Sequence, residues 1–287
     1  MNGSGDDRIV VHADRRLADQ LERLVSGRLV FFAGLPGTGK SLLAHQLAHL
    51  AATRDRQLAL LQWDVARPRF EASPSGRRYP LVHGVTHAVI RKAAGLWIRH
   101  ALTDWSARHP GPEHMLVGET PLVGSRFIEL ARRAADGAEP LLAAPTCRFV
   151  IAVPSPEVRR FLEQERERRA QHPLHPRERE DAPPSVLRDL WRQLAEVAGR
   201  LGLASPTEYD PGVYRQVYES ILRHRHVDVM ALDVILPTET LSVYDFAVAP
   251  VDLVPTEGET EAFIREVERR CPDVTVLERE ADRWWLE

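Results

Sequence analysis

Eight residues, Gly34-Leu-Pro-Gly-Thr-Gly-Lys-Ser41, constrain this chain more than any other feature of it. They satisfy the spacing G-x-x-x-x-G-K-[ST]. Just upstream, Arg28-Leu-Val-Phe-Phe-Ala33 is a short apolar run suited to a strand buried on both faces, as in a parallel sheet. Downstream, residues 42–53 carry Leu42, Leu43, Leu47 and Leu50 at helical spacing. Glycines in such a loop let backbone N–H groups curl around phosphate oxygens, and the helix that starts there adds its positive end. Lys40 is then expected to reach the β- and γ-phosphates, and the Ser41 hydroxyl to ligate Mg²⁺. The loop residues expected to hold a nucleoside triphosphate are Gly34, Pro36, Gly37, Thr38, Gly39, Lys40, Ser41 and Leu42. Every basic residue except Lys40 and Lys92 is arginine, as GC-rich coding produces, and one of the two lysines sits in this loop.

Composition bounds the rest. The 287 residues amount to about two domains, or one large domain with insertions. Hydrophobic residues at 44% and charged residues at 28% exclude extended disorder. A net charge of −3 excludes a global basic field that would draw the chain to nucleic acid or anionic lipid. No apolar run approaches the ~18–20 residues of a membrane span, and residues 1–7 are small and polar, unlike a signal peptide. Two cysteines, Cys147 and Cys271, exclude a disulfide framework or a Cys-rich zinc site. The expectation is a cytoplasmic protein with no membrane partner.

Along the chain, strand and helix patterns alternate. Helices are expected over 13–26, 42–53, 80–107, 123–135, 156–170, 185–201, 211–223 and 259–270. In the 80–107 block, Val82, Val85, Val89, Ala93, Trp97, Ala101 and Trp105 advance by three and four along one stripe. Ser155-Pro156 supplies an N-cap and a first-turn proline, and Ser185 reads as another cap. Apolar runs at 28–33, 57–63, 114–118, 147–153 and 226–233 read as strands, with a last one at 273–277. Residues 172–184, rich in proline and charge, have no apolar period and read as a loop. Alternation of this kind implies a parallel sheet with right-handed crossovers.

On the 34–41 motif and its flanks, residues 28 to about 235 resemble the P-loop NTPases, and more narrowly their small-molecule and nucleotide kinase branch. Rival branches lack their marks here. There is no Asn-Lys-x-Asp guanine motif and no Leu-Ser-Gly-Gly signature, and Gly118 precedes Glu119 where an AAA-type ATPase ends its strand in Asp-Glu. The resemblance implies an α/β three-layer sandwich around a five-stranded, mostly parallel sheet. It implies an N-terminal helical segment (1–27), a kinase-like core (28–254) and a C-terminal helix-strand extension (255–287). Within the core, 76–113 reads as an acceptor-side helical insertion and 157–205 as a lid region. ATP and Mg²⁺ are the implied cofactors, and a hydroxyl or phosphate acceptor, small molecule or nucleotide, is the implied partner.

Three places bear on that branch. The strand after the loop helix ends in Asp64, followed by Val-Ala-Arg67-Pro-Arg69. A carboxylate there can accept the acceptor's proton or help Ser41 organise Mg²⁺, while Arg67 and Arg69 hold a substrate anion. Glu119 leaves the 114–118 strand at the crevice edge of the sheet, where it can coordinate Mg²⁺ through water, orient the nucleophile or bind substrate hydroxyls, and Arg126 close behind can pair with substrate or phosphate. Lys40, Asp64, Glu119 and Arg126 are thus the catalytic candidates, with Asp64 and Glu119 both open as the base. Lys40 is expected to face solvent. The arginine-rich helix after Ser155 suits a lid, with Arg160 and Arg166 as candidate phosphate contacts. Arg67, Arg69, Arg77 and Arg78 suit an anionic acceptor; a polynucleotide 5′ end is disfavoured by the net charge and the lack of aromatic-basic interleaving. A regulatory ATP-binding switch acting on a protein partner is the alternative from another class. His83 and His87 have i,i+4 spacing but no third ligand, so they read as non-metal, and His172 and His175 as solvated. Trp97 and Trp105 read as core.

Overall fold

The computed structural model describes residues 9–82, 84–238, 240–246 and 251–286. In chain order the elements are α1 (Arg15–Leu24), β1 (Leu29–Ala33), α2 (Lys40–Ala52), β2 (Gln57–Gln62), α3 (Trp63–Ala72) and α4 (Ala88–Arg108). Then follow β3 (His114–Thr120), α5 (Glu139–Leu142), β4 (Cys147–Pro154), α6 (Pro156–Gln171), α7 (Pro184–Arg200) and α8 (Pro211–Ile221). The chain closes with β5 (Val227–Leu232), β6 (Val251–Asp252), α9 (Glu257–Arg270) and α10 (Val274–Asp282).

Five full strands form an all-parallel sheet, and the two-residue β6 adds to its β2 edge, giving the order β5-β4-β1-β3-β2-β6. Strand β1 is buried along its whole length, and successive side chains go to opposite faces. Leu29, Phe31 and Ala33 join one apolar cluster with α3, α4, α7, α8, α9 and α10; Val30 and Phe32 join the other with α1 and α2. A strand covered on both faces needs a continuous apolar run, which is why β1 and β4 read that way in the sequence. The C-terminal residues belong to the first cluster: Ile264 and Val267 of α9 and Leu277 of α10 are buried there with Trp97 and Trp105 of α4. Polar ties reinforce the contact, the Trp97 indole N–H donating to Glu259 (3.3 Å) and the Tyr79 hydroxyl to Glu268 (2.6 Å).

Several local expectations fail for identifiable reasons. Helix α4 begins at Ala88 rather than near residue 80, because the His87 Nδ1 accepts the Val89 N–H and caps it there. Val82 and Val85 instead pair across a tight turn and remain exposed. His83 lies outside the described residues. The helix expected over 123–135 is two short 3₁₀ turns, Val123–Ser125 and Ile128–Leu130, since Gly124, Ser125 and Phe127 take positive φ. The strand expected at 273–277 is the first part of α10, capped by the Asp273 carboxylate. Pro183, not Ser185, stands at the cap of α7. The 172–184 stretch has a polar anchor in place of apolar ones. Buried Glu178 accepts from Arg169 (2.8 Å), Ser242 (2.6 Å) and the Leu174 N–H (2.7 Å). His175 caps the 3₁₀ turn there. Among the described residues no helix is long and apolar enough to cross a membrane.

Candidate functional site

Parallel strands deliver their carboxyl ends to one edge of the sheet. In register, Phe32 of β1 and Gln62 of β2 both stand opposite Glu119 of β3. Loop 34–41, Asp64 and Glu119 therefore meet at that edge, as their positions in the sequence require.

The loop has a defined floor. Gly34 has φ +151°, and a Cβ there would lie 2.2 Å from the Tyr214 hydroxyl oxygen. That buried hydroxyl, from α8, accepts the Leu35 N–H (3.2 Å). Burial, with H-bonds from Thr38 and Leu35 opposing it, pushes the Tyr214 phenol up to about 12, so it stays neutral. Gly39, at φ +83°, turns the chain into α2. The N–H groups of Lys40, Ser41 and Leu42 then open the helix without intrahelical acceptors, and they supply the anion-binding end of its dipole.

Lys40 is buried, not solvent-facing: its side chain is 4% exposed. Nζ donates to the Leu35 carbonyl (2.9 Å) and lies 3.5 Å from Glu119 Oε1. Burial lowers its pKa, and Glu119 opposes that shift. The Ser41 hydroxyl donates to the same Glu119 oxygen (2.9 Å). The carboxylate in contact with Ser41 is thus Glu119, one of the two carboxylates expected near Mg²⁺, and not Asp64, the one expected beside Ser41.

Asp64 stands in the first turn of α3, not at a strand end, because the helix starts one residue after β2. It is solvent-accessible but crowded on its flanks, and partial burial raises its pKa. The Glu119 charge raises it further; Arg67, Lys40 and Arg126 work against the rise. Arg67 is paired with Glu71 (3.0 Å), which also accepts from Thr86. Arg69 is exposed. Arg78 is tied away to Glu268 (2.7 Å), and Arg77 is exposed beside it.

On the lid side, Arg160 points to solvent and its neighbour Arg159 is buried. Arg159 donates to the carbonyls of Pro36 and Gly37 (3.0 Å each), pairs with Glu163 (2.9 Å) and lies over the Tyr209 ring. Arg166 donates to the Ala182 carbonyl (2.9 Å), and its charge reaches Lys40 and Tyr244. Arg159, Tyr214, Arg91 and Tyr244 escaped the sequence reading. For Arg159 a signal existed, since Val158 and Leu162 mark the inward face of α6 and place Arg160 off it. Tyr214, 180 residues downstream of Gly34, carried none.

Among the described residues no group of three or more His, Cys, Asp or Glu gathers to hold a metal unaided. The oxygens available to a hard cation are the Ser41 hydroxyl and the Glu119 carboxylate. Buried Cys147 is inert, its thiol pushed up to about 12 by burial. Against known proteins, no family model matches this chain, and neither the curated proteins nor the solved structures yield a match.

Proposed function

We propose that this chain is an ATP-dependent phosphotransferase that moves a γ-phosphoryl group to a hydroxyl or phosphate acceptor. The observation that carries the reading is the convergence of Lys40, Ser41 and Glu119 at the opening of α2, with Asp64 in the first turn of α3 within reach of their charges. An ammonium, a hydroxyl and a carboxylate held beside unpaired helix amides fit a magnesium–triphosphate group. Ser41 and Glu119 would hold the ion, which when bound neutralises phosphate charge. ATP is preferred to GTP on the missing guanine motif.

Lys40 is suited to exchange its Leu35 carbonyl and Glu119 partners for phosphate oxygens, since both lie at its tip. In the transfer, the acceptor oxygen bonds to the γ-phosphorus while the bond from that phosphorus to the bridging oxygen breaks. The electron pair leaves on the diphosphate, and the acceptor proton passes to the Asp64 carboxylate. A carboxyl with a raised pKa is a better proton acceptor than an ordinary aspartate. Glu119, already engaged with Ser41 and Lys40, is the weaker choice of base.

Arg159 gripping two carbonyls of the loop favours a second reading, an ATP-binding switch whose α6 follows the loop's shape. One screen separates them. ADP release is measured with Mg²⁺ and pooled alcohols, sugars, nucleosides, nucleotides and short oligonucleotides. A phosphotransferase releases ADP only with one pool, and Lys40→Met lowers that rate about 10³-fold or more. Nucleotide binding with no acceptor-dependent ADP in any pool would leave the switch.

A further inference from the structure

The internal arginines of the fold find carboxylate or carbonyl acceptors, and one beside the candidate site has neither. Arg99 is saturated by Asp136, Glu139 and two carbonyls, and Arg225 by Glu139 and the carbonyls of Leu130 and Arg132. Arg67 has Glu71. Arg126 is half-buried, and among the described residues its guanidinium has neither a hydrogen-bond acceptor nor a carboxylate at ion-pair distance. Asp64 is near enough for its charge to be felt, and so are Arg67 and Arg91, the latter also within reach of Asp282 and Glu278. Arg91 is itself only half-used. Its Nη1 donates to the Gly124 carbonyl (2.7 Å) while its Nε is buried without a partner.

The backbone that carries Arg126 is strained. Leu122, Gly124, Ser125 and Phe127 have φ of 57°, 64°, 62° and 61°, three of them without the licence of glycine. The surroundings over-determine this conformation. Leu122, Val123 and Phe127 are anchored in the core, and the Tyr218 hydroxyl donates to the Pro121 carbonyl (2.9 Å). The Arg126 carbonyl accepts from both the Thr120 hydroxyl (3.2 Å) and the Leu122 N–H (3.1 Å). A costly loop that carries an unpaired guanidinium within electrostatic reach of Asp64 points to a ligand site rather than a packing solution.

We propose that the phosphoryl acceptor is an anionic alcohol, whose phosphate or carboxylate group is bound by Arg126 with Arg91 and Arg67 beside it, presenting its hydroxyl to Asp64. The proposal rests on the phosphotransferase reading and narrows its substrate class. A planar guanidinium takes either oxyanion in a two-point grip, and placing the anion there supplies the counter-charge the protein omits.

The test is calorimetry with glycerol 1-phosphate, glycerate and glycerol as probes, on protein saturated with Mg²⁺ and a non-hydrolysable ATP analogue. Both anions should bind at least about tenfold more tightly than glycerol, and the tighter of the two names the anion. Arg126→Gln should erase that preference, Arg126→Lys should keep part of it, and Arg108→Gln, at an exposed position on the end of α4, should leave it intact. The melting temperature of Arg126→Gln should rise, because an unpaired half-buried charge is removed; a fall would mean that the arginine is structural. Equal binding of glycerol and the anions, or anion binding that survives Arg126→Gln, overturns the proposal. So does a parallel loss of ATP-analogue affinity, which would assign Arg126 to the transferred phosphate. If the analogue fails to bind wild type, the phosphotransferase reading falls, while the same titration without nucleotide still decides whether Arg126 binds anions.

Discussion

Replacing Gly34 by alanine should damage the loop through one atom, and that atom can be removed separately. The new Cβ would sit 2.2 Å from the Tyr214 hydroxyl oxygen, about 1 Å inside contact. Neither group can retreat easily. Tyr214 is fully buried between Tyr209 and Tyr218, with ring centroids 5.7 and 4.9 Å away. Overpacking of this kind costs about 1–3 kcal/mol. Alanine at φ +151° adds roughly 1–2 kcal/mol of backbone strain. Gly34→Ala should therefore lower the unfolding free energy by about 2–5 kcal/mol. Tyr214→Phe removes only the hydroxyl and leaves the Leu35 N–H without its acceptor, costing about 1–2 kcal/mol. No ring carbon of Tyr214 is among the three atoms nearest the new Cβ, so the double variant loses the severe clash and keeps only a tight 3.1 Å approach to Thr38 Oγ1. Urea unfolding of all four proteins should give a favourable coupling of about 2 kcal/mol. A cycle that closes within about 0.5 kcal/mol would refute the claim that this hydroxyl is the floor of the loop.

Three further outcomes follow from the site and the core. Lys40→Met combined with Glu119→Gln should leave unfolding in the absence of nucleotide within about 1 kcal/mol, because both charges of the buried pair are removed together, yet ATP should no longer raise the melting temperature. A large loss of stability would make the pair structural. The acid limb of kcat/KM should lie above the ordinary aspartate range, since burial and Glu119 raise Asp64, and turnover should fall as pH drops through that limb. In Asp64→Asn turnover should fall about 10²–10⁴-fold and lose the limb; an unchanged profile would pass the base role to Glu119. Burial alone would raise the Glu139 carboxyl, but Arg225, Arg99 and the Ala134 N–H pull it down to about 2. Its stabilisation is complete above the unfolded value near 4.5 and is lost as pH falls from there to about 2. Solvent screening brings the amount to about 1–2 kcal/mol, and across that window Glu139→Gln should lose about that much less stability than wild type, Asp136 and the other paired carboxylates still contributing.

Contiguous stretches of sequence determined the parts of this protein whose contacts are local. The run of β1, the glycine turn and the start of α2 need only neighbouring residues, so their form was legible before any packing was known. Asp64 and Glu119 were legible as neighbours because β2 and β3 are adjacent and parallel, although Asp64 falls in the first turn of α3 just past β2 rather than on the strand. Tertiary structure alone decided what those ends touch. Ser41 meets Glu119 and not Asp64, since β3 pairs directly with β1 and sets the carboxylate beside α2. Lys40 is buried and the loop has a phenol beneath it because α8 delivers Tyr214 from far along the chain. Residues 123–130 carry helical periodicity, but core packing of Leu122, Val123 and Phe127 overrides it and bends the chain through positive φ. Residues 274–277 alternate enough to resemble a strand, yet the Asp273 cap and a buried Leu277 on the α4 layer make them helical. Local propensity settles an element only where no distant surface competes for its side chains, and at this sheet edge distant surfaces do compete.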